Sequence, residues 1–214
     1  MITVIGGIKG GCGKTTIATN LCVIRSRANR RVLLVDADDQ KSASDWSSQR
    51  EALGIETNWV TIQLSGKALH TELKKMSDDY HDIIIDVGGR DTTSQRAALS
   101  VADVCVIPFK PKSFDMWTLG QVKTLINEIR ASNPNLKVYT VINQGDSRGT
   151  DNEDANQIIK EMTDFTCIPS IIGLRKSFAN AAAEGLGVVE FKLRKADKKA
   201  IEEMLSVYSS IYYP

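Results

Sequence analysis

Apolar residues along the chain follow two spacings in turn, which predict strands and helices. Short runs rich in β-branched residues are typical of buried strands, and apolar residues three and four positions apart indicate helices. The predicted strands cover residues 1–8, 31–36, 58–64, 83–86, 103–108 and 136–143. The predicted helices cover residues 17–28, 42–53, 67–76, 114–131 and 196–212, with a further helix opening near residues 90–93. This alternation predicts an α/β fold with a doubly wound, mostly parallel sheet flanked by helices.

The last predicted helix places Ile201, Leu205, Tyr208 and Tyr212 on one face, which we expect to dock on the sheet. No linker rich in Pro, Gly or Ser divides the chain, so we expect a single domain over residues 1–214. No apolar run is long enough to span a bilayer, and the chain opens on a strand instead of a signal segment. We therefore expect a cytoplasmic protein with no membrane partner.

Charge adds a local feature to this picture. The 27 Lys and Arg residues nearly balance the 26 Asp and Glu residues, so no general attraction to nucleic acid is expected. However, bases outnumber acids seven to three over residues 175–199. The seven bases are Arg175, Lys176, Lys192, Arg194, Lys195, Lys198 and Lys199. Such a stripe can replace the counterions of DNA phosphates without reading sequence, although a solvated helix face is the alternative interpretation.

The four cysteines, Cys12, Cys22, Cys105 and Cys167, form no C-x-x-C pair. Their spacing argues against a zinc site and against a disulfide framework. We expect reduced and mostly buried thiols, with Cys12 accessible in its glycine-rich segment.

That glycine-rich segment, residues 6–16, joins the first predicted strand to the first predicted helix. Its glycines allow successive backbone N–H groups to point at phosphate oxygens, and the helix N-terminus adds positive potential. We expect Lys14 to contact the β- and γ-phosphates and the Thr15 hydroxyl to ligate Mg²⁺. The residues expected to bind the nucleotide here are Gly10, Gly11, Cys12, Gly13, Lys14, Thr15 and Thr16. The segment departs from G-x-x-x-x-G-K-[ST] because Ile8 replaces the first glycine.

Acidic residues follow two of the predicted strands. Asp36 and Asp38 end one strand, and Asp86 follows three isoleucines in another. Because the carboxyl ends of parallel strands face the ligand crevice, we expect these carboxylates beside the phosphates. There Asp36 is expected to order the water shell of Mg²⁺, and Asp38 to orient or polarise the attacking water.

Residues 9–16, 36–40 and 82–89 together resemble the deviant Walker A ATPases of the ParA/MinD superfamily, in particular small plasmid-partition ParA proteins without an N-terminal helix-turn-helix. The resemblance implies that Lys9 reaches across an ATP-sandwich homodimer to the phosphates of the other subunit. It further implies that Asp38 is needed for hydrolysis and that Asp86 is the Walker B aspartate on Mg²⁺. Asp39 stands where this family usually has proline.

Two further residues have candidate roles. Asn143 ends a predicted strand, and its amide offers both a donor and an acceptor to the adenine edge, as the family's base-contacting asparagine does. Arg90 follows two glycines, where it can sense phosphate, contact a partner subunit, or simply be a solvated turn residue. Asp91 is expected to cap the helix that follows.

These features predict an ATP-dependent DNA-partition ATPase with ATP and Mg²⁺ as cofactors. Its ATP-bound homodimer is expected to bind DNA non-specifically at the nucleoid, and a ParB-type centromere-binding protein to stimulate its weak hydrolysis. One alternative is a ParA-like ATPase that positions a protein cargo, and another is a metabolic P-loop ATPase or ligase. The cysteine spacing argues against an iron–sulfur reductase, and the retained lysines and aspartates argue against a scaffold that has lost hydrolysis.

Overall fold

A computed structural model describes residues 1–111, 116–146, 148, 150–162, 164–191 and 196–213. The strands are β1 (Ile2–Ile5), β2 (Val32–Ala37), β3 (Trp59–Gln63), β4 (Asp82–Val87), β5 (Val104–Phe109), β6 (Lys137–Gly145), β7 (Thr166–Cys167) and β8 (Ile172–Gly173). The helices are α1 (Lys14–Arg27), α2 (Ser42–Ala52), α3 (Ala68–Met76), α4 (Thr93–Leu99), α5 (Met116–Arg130), α6 (Asp151–Lys160), α7 (Lys176–Ala183) and α8 (Lys198–Tyr212), with a 3₁₀ helix at Val188–Glu190.

The strands form one sheet in the order β3-β2-β4-β1-β5-β6-β7, and β8 pairs with β6. Every strand pairing among the described residues is parallel. In this register Asp86 of β4 lies between Asp36 of β2 and Ile5 of β1. The carboxyl ends of these three strands therefore meet at one edge of the sheet, which the crossover connections leave open to a ligand.

Helices cover both faces of the sheet. One apolar cluster packs α3, α4, α5 and α6 against the first face, and a second packs α1, α2, α7 and α8 against the other. Every residue of β1, β2, β4 and β5 is buried, because a parallel strand between two helical layers has no solvent-facing side. The predicted doubly wound, mostly parallel α/β fold is confirmed.

The capping prediction for α4 was wrong. Thr92 caps this helix, since its hydroxyl accepts a hydrogen bond from the Gln95 backbone N–H at 3.1 Å. Asp91 instead accepts two hydrogen bonds from the Arg96 guanidinium. Patterning over residues 146–190 indicated charge but no individual elements, and β7, β8, α6 and α7 lie there.

The predicted buried face of α8 was also wrong, by one residue. Ala200, Met204, Val207 and Ile211 are buried, whereas Leu205 is 42% exposed. Both sets share the same helical spacing, so periodicity alone could not separate them. The tyrosines lie at the border of the buried face because their hydroxyls need polar partners, which Arg25 and neighbouring side chains supply.

A polar cluster ties α2 to the segment that follows α7. The rings of Trp46 and Trp59 stack with centroids 5.6 Å apart, and the Arg50 guanidinium lies 4.8 Å from the Trp59 centroid. Arg50 pairs with the Glu190 carboxylate through two 2.8 Å hydrogen bonds and also donates to the Glu56 carbonyl. The buried cation is thereby paired and hydrogen-bonded, as a charge in a protein interior must be.

Across the described ranges, no helix combines the length and apolar character needed to cross a bilayer.

Candidate active site

The glycine-rich loop lies between β1 and α1, as predicted. Gly11 and Gly13 have φ of +69° and +88°, a left-handed conformation that side chains rarely adopt. A Cβ atom on Gly13 would overlap the Asn143 side-chain amide. The loop therefore curls directly into Lys14, the first residue of α1, and its glycines Gly10, Gly11 and Gly13 line a cleft of about 870 Å³.

Lys14 is buried and turns back into its own loop. Its ammonium donates a 2.9 Å hydrogen bond to the carbonyl of Lys9, which also accepts from the Cys12 thiol at 3.3 Å. Cys12 is only 3% exposed, so the expectation of an accessible thiol was wrong. Its side chain packs beneath the loop, and this burial raises the pKa of the Cys12 thiol.

The end of β6 braces the loop from the opposite side. The Asn143 amide donates to the Cys12 carbonyl at 2.6 Å, and its oxygen accepts from the Gln144 backbone N–H at 2.9 Å. The Gln144 side chain reaches the Gly11 carbonyl at 3.2 Å. Asn143 therefore holds the shape of the loop, and its contact with adenine stays a prediction.

Asp86 lies under the loop with no solvent exposure. One carboxylate oxygen accepts a 2.6 Å hydrogen bond from the Thr15 hydroxyl, and the other has no partner in the described part of the chain. Burial, together with the negative charges of Asp36 and Asp38, raises the pKa of Asp86 to about 7. A buried, unpartnered carboxylate oxygen beside a threonine hydroxyl is a position at which a cation is favourable.

The other two carboxylates shape the turn after β2. Asp36 accepts from the backbone N–H of Ser44 at 2.7 Å, in the first turn of α2, and from that of Asp38 at 3.2 Å. Asp38 is half-buried and accepts from the Gln40 N–H at 3.1 Å. A Cβ on Gly88 would lie 3.3 Å from the nearer Asp38 oxygen, so Gly88 leaves room for this carboxylate in the cleft. The structure thus brings Asp36, Asp38 and Asp86 to one site, while their individual roles stay predictions.

The segment after β4 presses against the glycine-rich loop. A Cβ on Gly89 would lie 2.6 Å from the Gly10 backbone nitrogen, so only glycine permits this approach. Gln95 of α4 is fully buried, and its side-chain oxygen accepts from the Gly7 N–H at 3.2 Å. Sequence reasoning missed Gln95, because only the folded chain brings α4 to the start of the loop.

A smaller cavity of about 210 Å³ adjoins the cleft at the end of β8 and the start of α7. Thr16 and Asn143 form one side of it, and Leu174, Phe178 and Ala182 form the other. Leu174 is 71% exposed, so its side chain offers an apolar surface at the mouth of this cavity. Sequence reasoning missed this cavity too, since a single leucine in a loop is no signal by itself.

The residues predicted to bind DNA have different environments. Arg175 is held by the Glu203 carboxylate at 2.6 Å, with Asp197 at 3.9 Å, so its charge is offset within the protein. Lys176, Lys198 and Lys199 are exposed in the first turns of α7 and α8. The remaining three residues, Lys192, Arg194 and Lys195, lie outside the described residues. DNA binding by this group stays a prediction.

Within the described residues, no group of three or more His, Cys, Asp or Glu side chains is arranged to hold a metal by itself. That agrees with Mg²⁺, which keeps several waters and is bound through one or two carboxylates together with substrate phosphates. Thr15 and Asp86 fit such a site, since the free oxygen of Asp86 lies beside the Thr15 hydroxyl. Both oxygens of Asp36 accept backbone hydrogen bonds, and its part in the metal site stays a prediction.

Comparison with known proteins agrees with this geometry. The family model of the CobQ/CobB/MinD/ParA nucleotide binding domain matches residues 3–188. Maintenance of carboxysome distribution protein A of Halothiobacillus neapolitanus is 28% identical, covering 97% of this chain and 94% of that protein. The protein of the same name from Gloeobacter kilaueensis is 29% identical, covering 92% and 87%.

Among solved structures, a plasmid partition protein of Borrelia burgdorferi bound to AMPPNP superposes with a TM-score of 0.74 at 23% identity, covering 98% of each chain. This likeness confirms the fold, and the family match confirms the resemblance inferred from the loop and the carboxylates. The chain therefore belongs to the CobQ/CobB/MinD/ParA nucleotide-binding domain family, and it is a P-loop ATPase whose cofactors are ATP and Mg²⁺.

Proposed function

We propose that this chain is a positioning ATPase whose cargo is a protein assembly and whose ATP-bound homodimer uses DNA as its track. The observation that carries the choice of cargo is the nearly end-to-end match with two carboxysome distribution proteins, which spans 94% and 87% of their lengths. The sequence alone favoured DNA partition with a ParB-type partner and held protein cargo as an alternative. These relatives favour the alternative.

The phosphates of ATP are proposed to lie on the N–H groups of the glycine-rich loop. To contact them, the Lys14 ammonium exchanges its hydrogen bond with the Lys9 carbonyl for phosphate oxygens. This exchange removes one of the hydrogen bonds to the Lys9 carbonyl when ATP binds. The loop geometry thus links occupation of the cleft to the lysine that the resemblance places at the dimer interface. Adenine is proposed to enter the adjoining cavity beside Leu174 and Phe178.

Mg²⁺ is proposed to bind between Thr15, Asp36, Asp86 and the phosphates. The ion supplies positive charge that offsets the phosphates and the clustered carboxylates. Thr15 donates its hydroxyl hydrogen to Asp86, which leaves the hydroxyl oxygen lone pairs for the metal. Asp36 is held by backbone N–H groups of Ser44 and Asp38, so it contributes charge and fixes the turn.

Asp38 is proposed to orient the attacking water. Unlike Asp36 and Asp86, it is not fully buried, so it remains accessible to a water molecule, and the Gln40 N–H orients it. Gly88 lies beside it, and the absence of a side chain there leaves room for the carboxylate. Hydrolysis stays weak until a partner completes this geometry, because positioning supplies most of the rate enhancement in phosphoryl transfer.

DNA binding in the ATP state is tested with purified protein and random-sequence duplex DNA. Binding is measured without nucleotide, with ADP, and with a slowly hydrolysed ATP analogue, each across a salt series. The proposal expects binding only with the analogue, with affinity that falls steeply as salt rises. Light scattering on the same samples is expected to show a dimer only with the analogue. Equal binding in all three states, or no binding in any, would overturn the DNA track.

The cargo is tested by deleting the gene in its native cell. The proposal expects a protein-shelled assembly of the carboxysome kind to lose its even spacing while plasmid and chromosome inheritance stay normal. Loss of inheritance with normal spacing of protein assemblies would instead support DNA partition. The nucleotide-dependent DNA measurement is common to both outcomes, so the cargo and the switch are tested separately.

A further inference from the structure

Arg90 lies at the boundary of two cavities. One is the nucleotide cleft, and the other is a groove of about 700 Å³ between α4 and α5, whose lining includes Ile8, Arg96, Leu125 and Glu128. The Arg90 side chain is exposed. It forms no ion pair or hydrogen bond with any of the residues that the structure describes. The guanidinium is therefore a free cation at the rim of a site built for anions.

The neighbouring carboxylate is prevented from neutralising Arg90. Both oxygens of Asp91 accept hydrogen bonds from the Arg96 guanidinium, at 2.7 Å and 2.6 Å. Arg96 also donates to Glu128 of α5 at 2.6 Å, which fixes it between the two acids. Because a bidentate pair between a guanidinium and a carboxylate is strong, we expect Asp91 to stay bound to Arg96 and not to pair with Arg90.

The backbone on both sides of Arg90 is held against the glycine-rich loop. Gly89, directly before it, abuts the Gly10 backbone. Gln95, five residues after it, accepts a hydrogen bond from the Gly7 N–H. The main chain of Arg90 is thus set at the edge of the phosphate site, while its long side chain has no fixed partner.

We propose that Arg90 binds the terminal phosphate of the ATP held by its own subunit, and that it stabilises the charge that develops there during hydrolysis. An arginine in cis serves this role in other phosphoryl-transfer enzymes, because its planar fork matches phosphate oxygens bidentately. The proposed placement gathers the phosphates near Asp36, Asp38 and Asp86, so a cation beyond Lys14 and Mg²⁺ further offsets the negative charge. Arg96 has a positioning role, because it keeps Asp91 away from Arg90.

This inference rests on the proposed placement of ATP in the cleft, and its test is a comparison of two ligands. Affinities for a non-hydrolysable ATP analogue and for ADP, both with Mg²⁺, are measured for wild type and Arg90→Ala. Because the terminal phosphate exists only in the analogue, its affinity is expected to fall roughly ten- to a hundred-fold, the range of a charge-assisted hydrogen bond. The affinity for ADP is expected to stay unchanged, and turnover to fall with the analogue affinity.

Two further variants set the scale. Arg90→Lys keeps the charge but lacks the fork, so an intermediate loss of analogue affinity is expected. Arg31→Ala is the matched control, since Arg31 is an exposed arginine just before β2, at the opposite edge of the sheet from the cleft. This control is expected to leave the affinities for analogue and ADP unchanged.

The positioning role of Arg96 has its own test. Arg96→Ala frees Asp91 to pair with Arg90, so analogue affinity is expected to fall while ADP affinity is retained. Adding Asp91→Asn to this variant removes the competing charge and is expected to restore the analogue affinity. A double variant as weak as Arg96→Ala alone would overturn the role of Arg96, since damage to the groove would then explain the loss.

Three outcomes would overturn the assignment of Arg90. The first is unchanged analogue affinity and turnover in Arg90→Ala, and the second is an equal loss of ADP affinity. The third is a loss that appears only at protein concentrations where light scattering shows the dimer, because the arginine would then act on the partner's nucleotide. Failure of the ATP site itself is distinguishable, since a Lys14→Ala variant would then bind the analogue as well as wild type does.

Discussion

Replacing Asp38 by alanine is expected to abolish turnover while leaving the fold and ATP binding in place. Asp38 faces the cleft from the turn after β2, and within the described residues its side chain accepts one hydrogen bond, from the Gln40 N–H at 3.1 Å. The variant therefore removes a reactive carboxylate at little structural cost.

The expected loss of folding stability is much smaller than the expected loss of hydrolysis rate. One partly exposed hydrogen bond contributes about 0.5–1.5 kcal/mol to folding, which corresponds to roughly 1–6 °C in Tm for a chain of this length. A group that orients or deprotonates the attacking water contributes about 10²–10⁴-fold in rate, or about 3–5 kcal/mol in the barrier. Turnover should therefore disappear while the protein stays folded. ATP affinity should hold or rise, because a negative charge beside the phosphates has been removed.

Asp39 provides the matched control. It is the next residue, it is exposed, and it also lines the cleft, yet its side chain has no partner among the residues described. Phosphate release, analogue affinity and thermal melting are measured for Asp38→Ala and Asp39→Ala side by side. Normal turnover in Asp38→Ala, or an equal loss in both variants, would refute the assigned role. Gly88→Ala should lower turnover about tenfold, since the added methyl displaces the Asp38 carboxylate by a few tenths of an ångström.

Three further predictions concern the glycine-rich loop, the Arg50–Glu190 pair, and His81, which lies just before β4 and whose ring accepts a hydrogen bond from the Arg31 N–H. Gly13→Ala should lower the free energy of unfolding by about 2–4 kcal/mol in urea titrations and abolish ATP binding. The alanine would be strained in the left-handed conformation, and its methyl group would displace Asn143. Adding Asn143→Ala should remove the steric overlap but not the backbone strain. Arg50→Met should cost about 3–5 kcal/mol in the same titrations by leaving Glu190 unpaired, and Arg50→Met with Glu190→Met should recover part of that loss. Partial desolvation and neighbouring arginine charges lower the pKa of His81. Its contribution to stability is therefore present above about pH 6.5 and is lost as the pH falls below that value. His81→Gln should reduce the change in Tm with pH in thermal melts between about pH 5 and 8.

The parts of the site that sequence could predict are those whose chemistry is local. The loop before Lys14 and the acids after β2 and β4 each occupy a few consecutive residues, and a parallel sheet brings strand ends together by its topology. Asp36 and Asp86 could therefore be placed at one site before the fold was known. The same logic located the strands, because continuous apolar runs have few alternatives.

The parts that sequence could not predict depend on contacts distant in the chain. Asn143 was predicted to contact adenine because an amide can both donate to and accept from the edge of the base. In the structure its amide donates instead to the Cys12 carbonyl of the loop, 131 residues away in the sequence. Arg175 was counted as a free cation, and Glu203 of α8 offsets it. The buried face of α8 was predicted one residue away from its actual position, because apolar residues with the same spacing occupy both faces of the helix. Composition and periodicity carry no information on which partner a side chain meets.

The stacked pair of Trp46 and Trp59 gives the protein an optical reporter of its own. These are two of only three tryptophans in the chain, and Trp46 also lines a cavity that includes Thr15, Thr16 and Ser42 beside the phosphate site. Their emission depends on the packing and charge around the rings, including the Arg50 cation. Arrival of a highly charged ligand at Thr15 changes the electric field at Trp46, so unlabelled protein can be followed through its nucleotide cycle in real time by fluorescence.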